Sequence, residues 1–85
     1  MNLQWTSDGW EDYVYWQEQD RKTLRRINKL IKAILKDPFQ EIGKPEQLKH
    51  DLSAYWSRRI DGTNRVVYRV MEDVIIITAC RKHYE

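Results

Sequence analysis

The segment from Tyr55 to Tyr68 constrains the fold most, because it has the composition of a β-hairpin. Its arms are rich in aromatic and β-branched residues, and residues 61–64 form a cluster of turn-forming residues between them. Because side chains alternate along a strand, Arg59 and Arg65 share a face only if the loop has an odd residue count, such as 61–63 or 60–64. Like charges opposite each other cost a bare sheet up to about 1 kcal/mol, which favours an anion bound between them. The alternative is a pair of solvated arginines on an open face.

The length and cysteine content limit the class of protein. At 85 residues the chain has room for one small domain, so we expect residues 1–85 to form a single unit. The lone Cys80 excludes an internal disulfide framework, and we therefore expect a cytoplasmic protein. Cys80 follows an apolar run from Val74 to Ala79, which indicates a buried structural thiol rather than a nucleophile. We see neither a membrane-spanning run nor a signal peptide.

A short amphipathic helix is predicted over residues 8–19, with an aromatic inner face and an acidic outer face. It is indicated by residues at helical intervals: Trp10, Tyr13, Val14 and Gln17. Thr6, Ser7 or Asp8 could cap this helix, and Asp8 with Glu11 has the spacing of a capping box.

A second helix is predicted from Arg21 to Lys36, capped by Asp20 and ended by Asp37-Pro38. Its apolar stripe, which should pack on a sheet, consists of Leu24, Ile27, Leu30, Ile31, Ile34 and Leu35. The opposite face forms what we call the basic ridge: Lys22, Arg25, Arg26, Lys29, Lys32 and Lys36. Residues 21–36 contain seven basic and no acidic residues, so nothing on this helix neutralises the ridge. We favour contact with nucleic-acid phosphates, and the alternative is a solvated face.

The rest of the chain is predicted to be strands joined by one long connection. Residues 1–5 form a candidate strand, and residues 74–80 should form a central strand that is buried on both faces. Residues 39–52 are predicted to be a polar loop that could contain one helical turn at 46–49. This loop gathers three residues capable of proton or phosphate chemistry: Glu46, Lys49 and His50.

Four motifs follow one another in the second half of the chain: Gly43-Lys44-Pro45-Glu46-x-Leu48-Lys49-His50-x-Leu52-Ser53, Trp56-Ser57-Arg58-Arg59-Ile60, Arg65-Val66-Val67-Tyr68 and Ala79-Cys80-Arg81-x-His83-Tyr84. Together they resemble the YoeB branch of the RelE/ParE toxin superfamily, and the resemblance covers essentially the whole chain. It implies a RelE-like, two-layer α+β fold, in which two N-terminal helices pack on a mostly antiparallel sheet in the order β-α-α-β-β-β. It also implies a type II toxin, a ribosome-dependent endoribonuclease that cuts mRNA in the ribosomal A site.

The resemblance also implies a role for each candidate catalytic residue. Glu46 matches the general base that takes the proton of a ribose 2′-hydroxyl, and His83 matches the general acid that protonates the leaving 5′-oxygen. Tyr84 matches an aromatic residue that orients the substrate. The scissile phosphate would be held by three cations: Lys49, Arg59 and Arg65. No metal or other cofactor is expected. Glu85 extends the chain past the usual His-Tyr ending of the family, and its carboxylate should favour a protonated His83.

The implied partners are a YefM-like antitoxin, the ribosome with its rRNA, and mRNA. Operator DNA would be reached only through the antitoxin complex, and a homodimer is a further assembly to test. The ridge residues that we assign to ribosome binding are Arg25, Arg26, Lys29 and Lys32. Two other functions stay open. A ParE-like toxin that poisons gyrase is disfavoured by the joint presence of Glu46 and His83, and a plain nucleic-acid-binding module would use the ridge without cutting.

Overall fold

The computed structural model of the chain describes residues 1–40, 43, 45–49 and 54–82. These residues contain two helices and five strands: β1 (Asn2–Trp5), α1 (Ser7–Gln19), α2 (Arg21–Lys36), β2 (Glu46–Gln47), β3 (Tyr55–Arg59), β4 (Arg65–Met71) and β5 (Val74–Ala79). None of the helices in these residues has the length and apolar character needed to cross a membrane.

The five strands form one sheet in the order β1-β5-β4-β3-β2. β1 pairs in parallel with β5, and the other three pairs of neighbouring strands are antiparallel. Residues from both helices pack with one face of β4 and β5 in the main apolar core. The two-layer α+β fold expected from the family resemblance is therefore confirmed.

Strand β2 was not expected, and the predicted helical turn at 46–49 is wrong. Glu46 and Gln47 pair with Ser57 and Trp56 of β3, and the N–H of Leu48 donates to the carbonyl of Tyr55 at 2.9 Å. The backbone of this segment bonds across to β3 instead of bonding to itself as a helical turn would. The sheet consequently has one strand more than the predicted order.

The start of α1 lies close against β5. Thr6 caps the helix, because its Oγ1 accepts a hydrogen bond from the N–H of Gly9 at 3.1 Å and donates to the carbonyl of Thr78 at 3.3 Å. A Cβ atom at Gly9 would lie 2.4 Å from the carbonyl oxygen of Ile77, so only glycine permits this approach. The helix is thus docked on β5 through its first turn.

This docking changes which side of α1 is buried. Trp10, predicted to face the core, is 48% exposed and packs edge-on against Trp5. Trp16 is buried instead, because it lies two turns after Gly9 on the face that contacts β5. Asp8 and Glu11 lie within the helix rather than forming its cap.

Helix α2 follows its prediction closely. The carboxylate of Asp20 caps it by accepting hydrogen bonds from the N–H groups of Lys22 and Thr23 at 3.0 and 3.2 Å. The helix ends at Lys36, two residues before Pro38, as expected. Four residues of the predicted apolar stripe are buried: Ile27, Leu30, Ile31 and Ile34.

Strand β5 lies between β1 and β4, so it is an interior strand, although β4 is the middle strand of the five. Ile75 and Ile77 are fully buried against the helices, whereas Ile76 is half-buried, so the predicted burial on both faces is incomplete. Cys80, just after the strand, is fully buried, and desolvation together with the nearby Asp12 carboxylate raises the pKa of its thiol to about 12. The expectation of a buried, structural thiol is therefore confirmed.

Candidate active site

The register of β2, β3 and β4 brings an acid and two arginines to one face of the sheet. Glu46 pairs with Ser57, and Arg59 pairs with Arg65 across a loop of residues 60–64, which is one of the two odd-numbered loops that would place both arginines on one face. Directly paired residues, and residues two apart on one strand, share a face. The alternate residues of the hairpin, among them Val66, pack against the helices, so these four side chains lie on the side of the sheet away from α1 and α2.

The guanidinium of Arg65 is the buried charge of this face. Arg65 is 4% exposed, and its Nε donates to the Oγ of Ser57 at 2.8 Å. Its Nη2 is also buried and has no hydrogen-bond partner among the described residues. Among the described residues, Oε2 of Glu46 lies 3.9 Å from this Nη2, beyond hydrogen-bond distance. A buried donor without a partner is rare in a native structure and calls for an explanation, and an anion bound during function would supply one.

The carboxylate of Glu46, unlike the guanidinium of Arg65, is open to solvent. Its side chain is 68% exposed, so solvent or a substrate can reach it, while the buried guanidinium stands beside it. A carboxylate can accept a proton, and a fixed cation next to it can hold a phosphate and stabilise added negative charge. The two groups together suit proton abstraction close to a bound phosphate.

The connection that carries Glu46 is anchored by a second, unexpected buried arginine. Arg58 is fully buried on the helix side of β3, where its Nη2 donates to the carbonyl of Asp37 and its Nε to the hydroxyl of Tyr68. The Tyr68 hydroxyl donates in turn to the carbonyl of Pro38, and burial raises the pKa of this phenol. These bonds fix the chain where it leaves α2.

Gly43 provides a second anchor for the same connection. It has a φ of +84°, and a Cβ atom there would lie 2.8 Å from Cδ2 of Leu30, so both its conformation and its surroundings favour glycine. Its carbonyl accepts a hydrogen bond from the N–H of Arg59 at 2.7 Å. The chain therefore reaches β2 from a fixed point beside β3, which sets the direction in which Glu46 projects.

The other predicted phosphate-binding cations are more open. Arg59 is exposed although it is paired with the buried Arg65, so the two like charges differ sharply in their access to solvent. Lys49 is exposed and lies one residue after Leu48, which packs with Val67 and Ala79 in a small second cluster. His83 and Tyr84 lie outside the described residues, as do His50 and Glu85.

The basic ridge is not part of this face. It lies on α2, on the other side of the sheet, and Arg25, Lys29 and Lys32 are exposed there. Arg26 is the exception, because it is half-buried and its Nη2 donates to the carbonyl of Arg59 at 3.2 Å. The structure thus separates the predicted ribosome-binding residues from the Glu46–Arg65 pair.

Sequence reasoning missed Ser57 and Arg58. Ser57 is fully buried and supplies the hydrogen bond that orients Arg65. Because side chains alternate along a strand, Ser57 lies on the same face as Arg59, and this pattern could have identified Ser57 as part of the site. The same alternation placed Arg58 on the helix side, but its buried partners come from a distant connection. Among residues 1–40, 43, 45–49 and 54–82, no three His, Cys, Asp or Glu side chains cluster as a metal site would require.

Comparison with solved structures defines the class of protein. The structure matches that of the YoeB/ParE toxin from Agrobacterium tumefaciens with a TM-score of 0.95 and 44% sequence identity, covering 99% of this chain and 100% of that chain. It also matches a YoeB-YefM toxin-antitoxin heterotetramer from Staphylococcus aureus, with a TM-score of 0.89 and 41% identity over 99% of this chain and 98% of that chain. The fold is that of the RelE-like toxins.

Sequence comparison narrows this class to a family. The chain is 57% identical to Toxin YoeB of Streptomyces coelicolor over 84 residues, which cover 99% of this chain and 100% of the relative. A family model described as "YoeB-like toxin of bacterial type II toxin-antitoxin system" matches residues 5–84. The chain belongs to the YoeB family of type II toxins.

Proposed function

We propose that the chain is a ribosome-dependent mRNA endoribonuclease that cuts mRNA in the ribosomal A site and so inhibits translation. Membership of the YoeB family supports the toxin class. The observation that carries the chemistry is the exposed Glu46 carboxylate beside the buried guanidinium of Arg65, whose Nη2 has no hydrogen-bond partner among the described residues. A phosphate diester bound to that guanidinium would place its ribose near the carboxylate.

The proposed reaction is a transfer of the phosphoryl group within the RNA. Glu46 takes the proton from the 2′-hydroxyl, and the 2′-oxygen attacks the adjacent phosphorus. The bond from phosphorus to the 5′-oxygen breaks, and His83 gives this oxygen a proton. The products are a 2′,3′-cyclic phosphate, or its hydrolysed 3′-phosphate, and a 5′-hydroxyl. Tyr84 orients the substrate, and the charge of the phosphate is met by Lys49, Arg59 and Arg65.

The proposed partners follow from the family and from the separation of the two surfaces. The relative from Staphylococcus aureus was solved with YefM, which supports a YefM-like antitoxin as the inhibitor of this chain. A YoeB from Staphylococcus aureus was also solved as a dimer, which supports a homodimer as an assembly to test. The basic ridge would contact rRNA on one side of the sheet while mRNA occupies the other. Operator DNA would be bound only through the antitoxin complex. We further propose that residues 1–85 act as one cytoplasmic domain.

The test is single-turnover cleavage of a message bound to programmed ribosomes. We expect Glu46→Gln and His83→Ala each to lower the rate by about 10²- to 10⁴-fold, because each removes a proton carrier. Glu72→Gln is the matched control for charge, since Glu72 is an exposed acid in the turn at the far end of β4 from Arg65. Cleavage by Glu46→Gln or His83→Ala at the parent's rate would show that the proton carriers are assigned wrongly.

A further inference from the structure

The last described residues of the chain are held by contacts from helix α1 and from the β3–β4 hairpin. The carbonyl of Cys80 accepts a hydrogen bond from the Nε1 of Trp16 at 2.7 Å, and the N–H of Cys80 donates to the carboxylate of Asp12 at 3.0 Å. The guanidinium of Arg81 then lies over the ring of Tyr15, 3.7 Å from its centroid. Helix α1 therefore fixes the chain as it leaves β5.

The hairpin fixes the next residue. The N–H of Lys82 donates to Oδ1 of Asn64 at 2.7 Å, and the carbonyl of Lys82 accepts from the N–H of Arg65 at 3.0 Å. Lys82 has a φ of +74°, in the left-handed region that side chains other than glycine rarely adopt. Such a conformation is strained and persists only where surrounding contacts hold it. Both of these hydrogen bonds come from the hairpin, so the hairpin holds this conformation.

Asn64 is itself fixed by Asp61. The Oδ1 of Asp61 accepts hydrogen bonds from the N–H groups of Thr63 and Asn64 at 2.8 and 2.7 Å. The Nδ2 of Asn64 donates to both carboxylate oxygens at 3.2 Å, which leaves its Oδ1 pointing at Lys82. These bonds orient the amide group completely, although Asp61 is exposed. A turn needs no such outward-facing acceptor for its own closure.

We propose that Asn64, oriented by Asp61, is a positioning residue for the general acid His83. By fixing the left-handed peptide of Lys82, Asn64 sets the direction in which the chain continues into the residue that follows, and that residue is His83. Arg65 completes the link, because its N–H holds the Lys82 carbonyl while its side chain faces Glu46. This inference rests on the proposed acid role of His83.

The kinetic experiment uses the full-length chain on programmed ribosomes. We expect Asn64→Ala to lower the single-turnover cleavage rate by about 10- to 100-fold, since small misplacements of a reacting group can cost that much. Thr63→Ala is the matched control, because Thr63 is exposed and its bond to Asp61 comes from its backbone. In the His83→Ala background, Asn64→Ala should have no further effect, since the group that it positions is absent.

The outcomes separate this inference from the proposed function. A normal rate for His83→Ala would overturn the acid assignment and this inference with it. A slow His83→Ala with a normal Asn64→Ala would overturn this inference alone. Equal losses from Asn64→Ala with and without His83 would indicate a general structural defect and would also overturn it.

A second measurement does not depend on activity. The ¹⁵N order parameter of the Lys82 amide reports its motion on the picosecond to nanosecond timescale, with about 0.85 for rigid backbone and below about 0.6 for flexible backbone. We expect Asn64→Ala to lower this value and Thr63→Ala to leave it at the parent's level. An unchanged value in Asn64→Ala would show that the side chain of Asn64 does not hold the chain end.

Discussion

The buried guanidinium of Arg65 should make the free protein less stable than an apolar side chain in its place. Its Nε bonds to Ser57, but its buried Nη2 has no hydrogen-bond partner among the described residues, and Glu46 stands 3.9 Å away. We therefore expect the double variant Ser57→Ala/Arg65→Met to be more stable than the parent while losing cleavage. The proposed phosphate would supply the missing partner, so the instability would belong to the free state.

The magnitude follows from three terms. A buried donor without a partner costs about 1–3 kcal/mol, and the double variant removes it together with both ends of the Ser57–Arg65 bond, so neither group is left unpaired. The ion pair with Glu46 contributes at most about 1 kcal/mol, because that carboxylate is 68% exposed. Replacing buried charges by apolar groups often stabilises by about 1–4 kcal/mol. We expect a gain of about 1–3 kcal/mol in the free energy of unfolding.

The assay is urea unfolding followed by tryptophan fluorescence, at one fixed protein concentration because assembly would shift the apparent stability. For a chain of this size each kcal/mol corresponds to about 4–8 °C in the melting temperature. Ser57→Ala alone should lower stability by about 1–3 kcal/mol, since it leaves the Nε of Arg65 without its acceptor.

Arg69→Met is the matched control for removal of an arginine from the same face of β4. Arg69 is half-buried and its guanidinium lies 5.8 Å from the centroid of the Tyr55 ring, so it is not a buried, unpartnered charge. We expect its replacement to give no gain in stability. A double variant less stable than the parent by more than about 1 kcal/mol would refute the reasoning, because the guanidinium would then be well compensated without a phosphate.

Two further predictions concern the basic ridge and the cap of α2. Changing Arg25, Lys29 and Lys32 to Gln should weaken ribosome binding. The slope of log affinity against log salt concentration should also become shallower, by about one unit for each lost phosphate contact. Unchanged affinity across a salt titration would instead indicate a solvated face. The hydrogen bond from the Thr23 hydroxyl, followed by those from backbone N–H groups, lowers the pKa of Asp20 below its ordinary value of 3.8. This stabilisation is present above pH 3.8 and is lost as pH falls through the lower, folded-state pKa. Urea midpoints for Asp20→Asn should therefore fall less in acid than those of the parent, and parallel losses would contradict this.

The sequence was sufficient for the elements whose signals are local. Asp20 and Pro38 mark the two ends of α2, and the apolar residues between them recur at helical intervals and form one buried face. The sequence narrowed the hairpin register without fixing it, because Arg59 and Arg65 share a face with a loop of 61–63 or of 60–64, and the structure has the longer loop. The family resemblance supplied the overall arrangement of layers, which periodicity alone left open.

The remaining features depend on contacts between distant segments. Two residues suffice for β2 only because the edge of β3 offers free backbone groups, and nothing in the sequence of 46–47 signals a strand. Trp10 and Trp16 are equivalent by composition, and the close approach of Gly9 to β5 decides between them. Arg58 has the composition of a solvated residue, yet it is buried because the chain leaving α2 brings carbonyl groups to it.

The pairing register of β3 and β4 determines both the geometry of the candidate site and the structure of the hairpin loop. Arg65 bonds to Ser57 through its side chain and to the Lys82 carbonyl through its N–H, so it joins β3, β4 and the end of the chain. A slip of β4 by one residue against β3 would turn its guanidinium toward the apolar helix layer and would also separate it from Glu46. The carboxylate of Asp61 opposes such a slip by fixing the backbone of the loop at two consecutive N–H groups. Desolvation of this carboxylate alone would raise its pKa, but the hydrogen bonds from Thr63 and Asn64 lower the pKa below the ordinary value, so the loop favours the ionised group. The loop residue Asp61 and the strand residues Arg59 and Arg65 therefore all depend on the same pairing of β3 with β4.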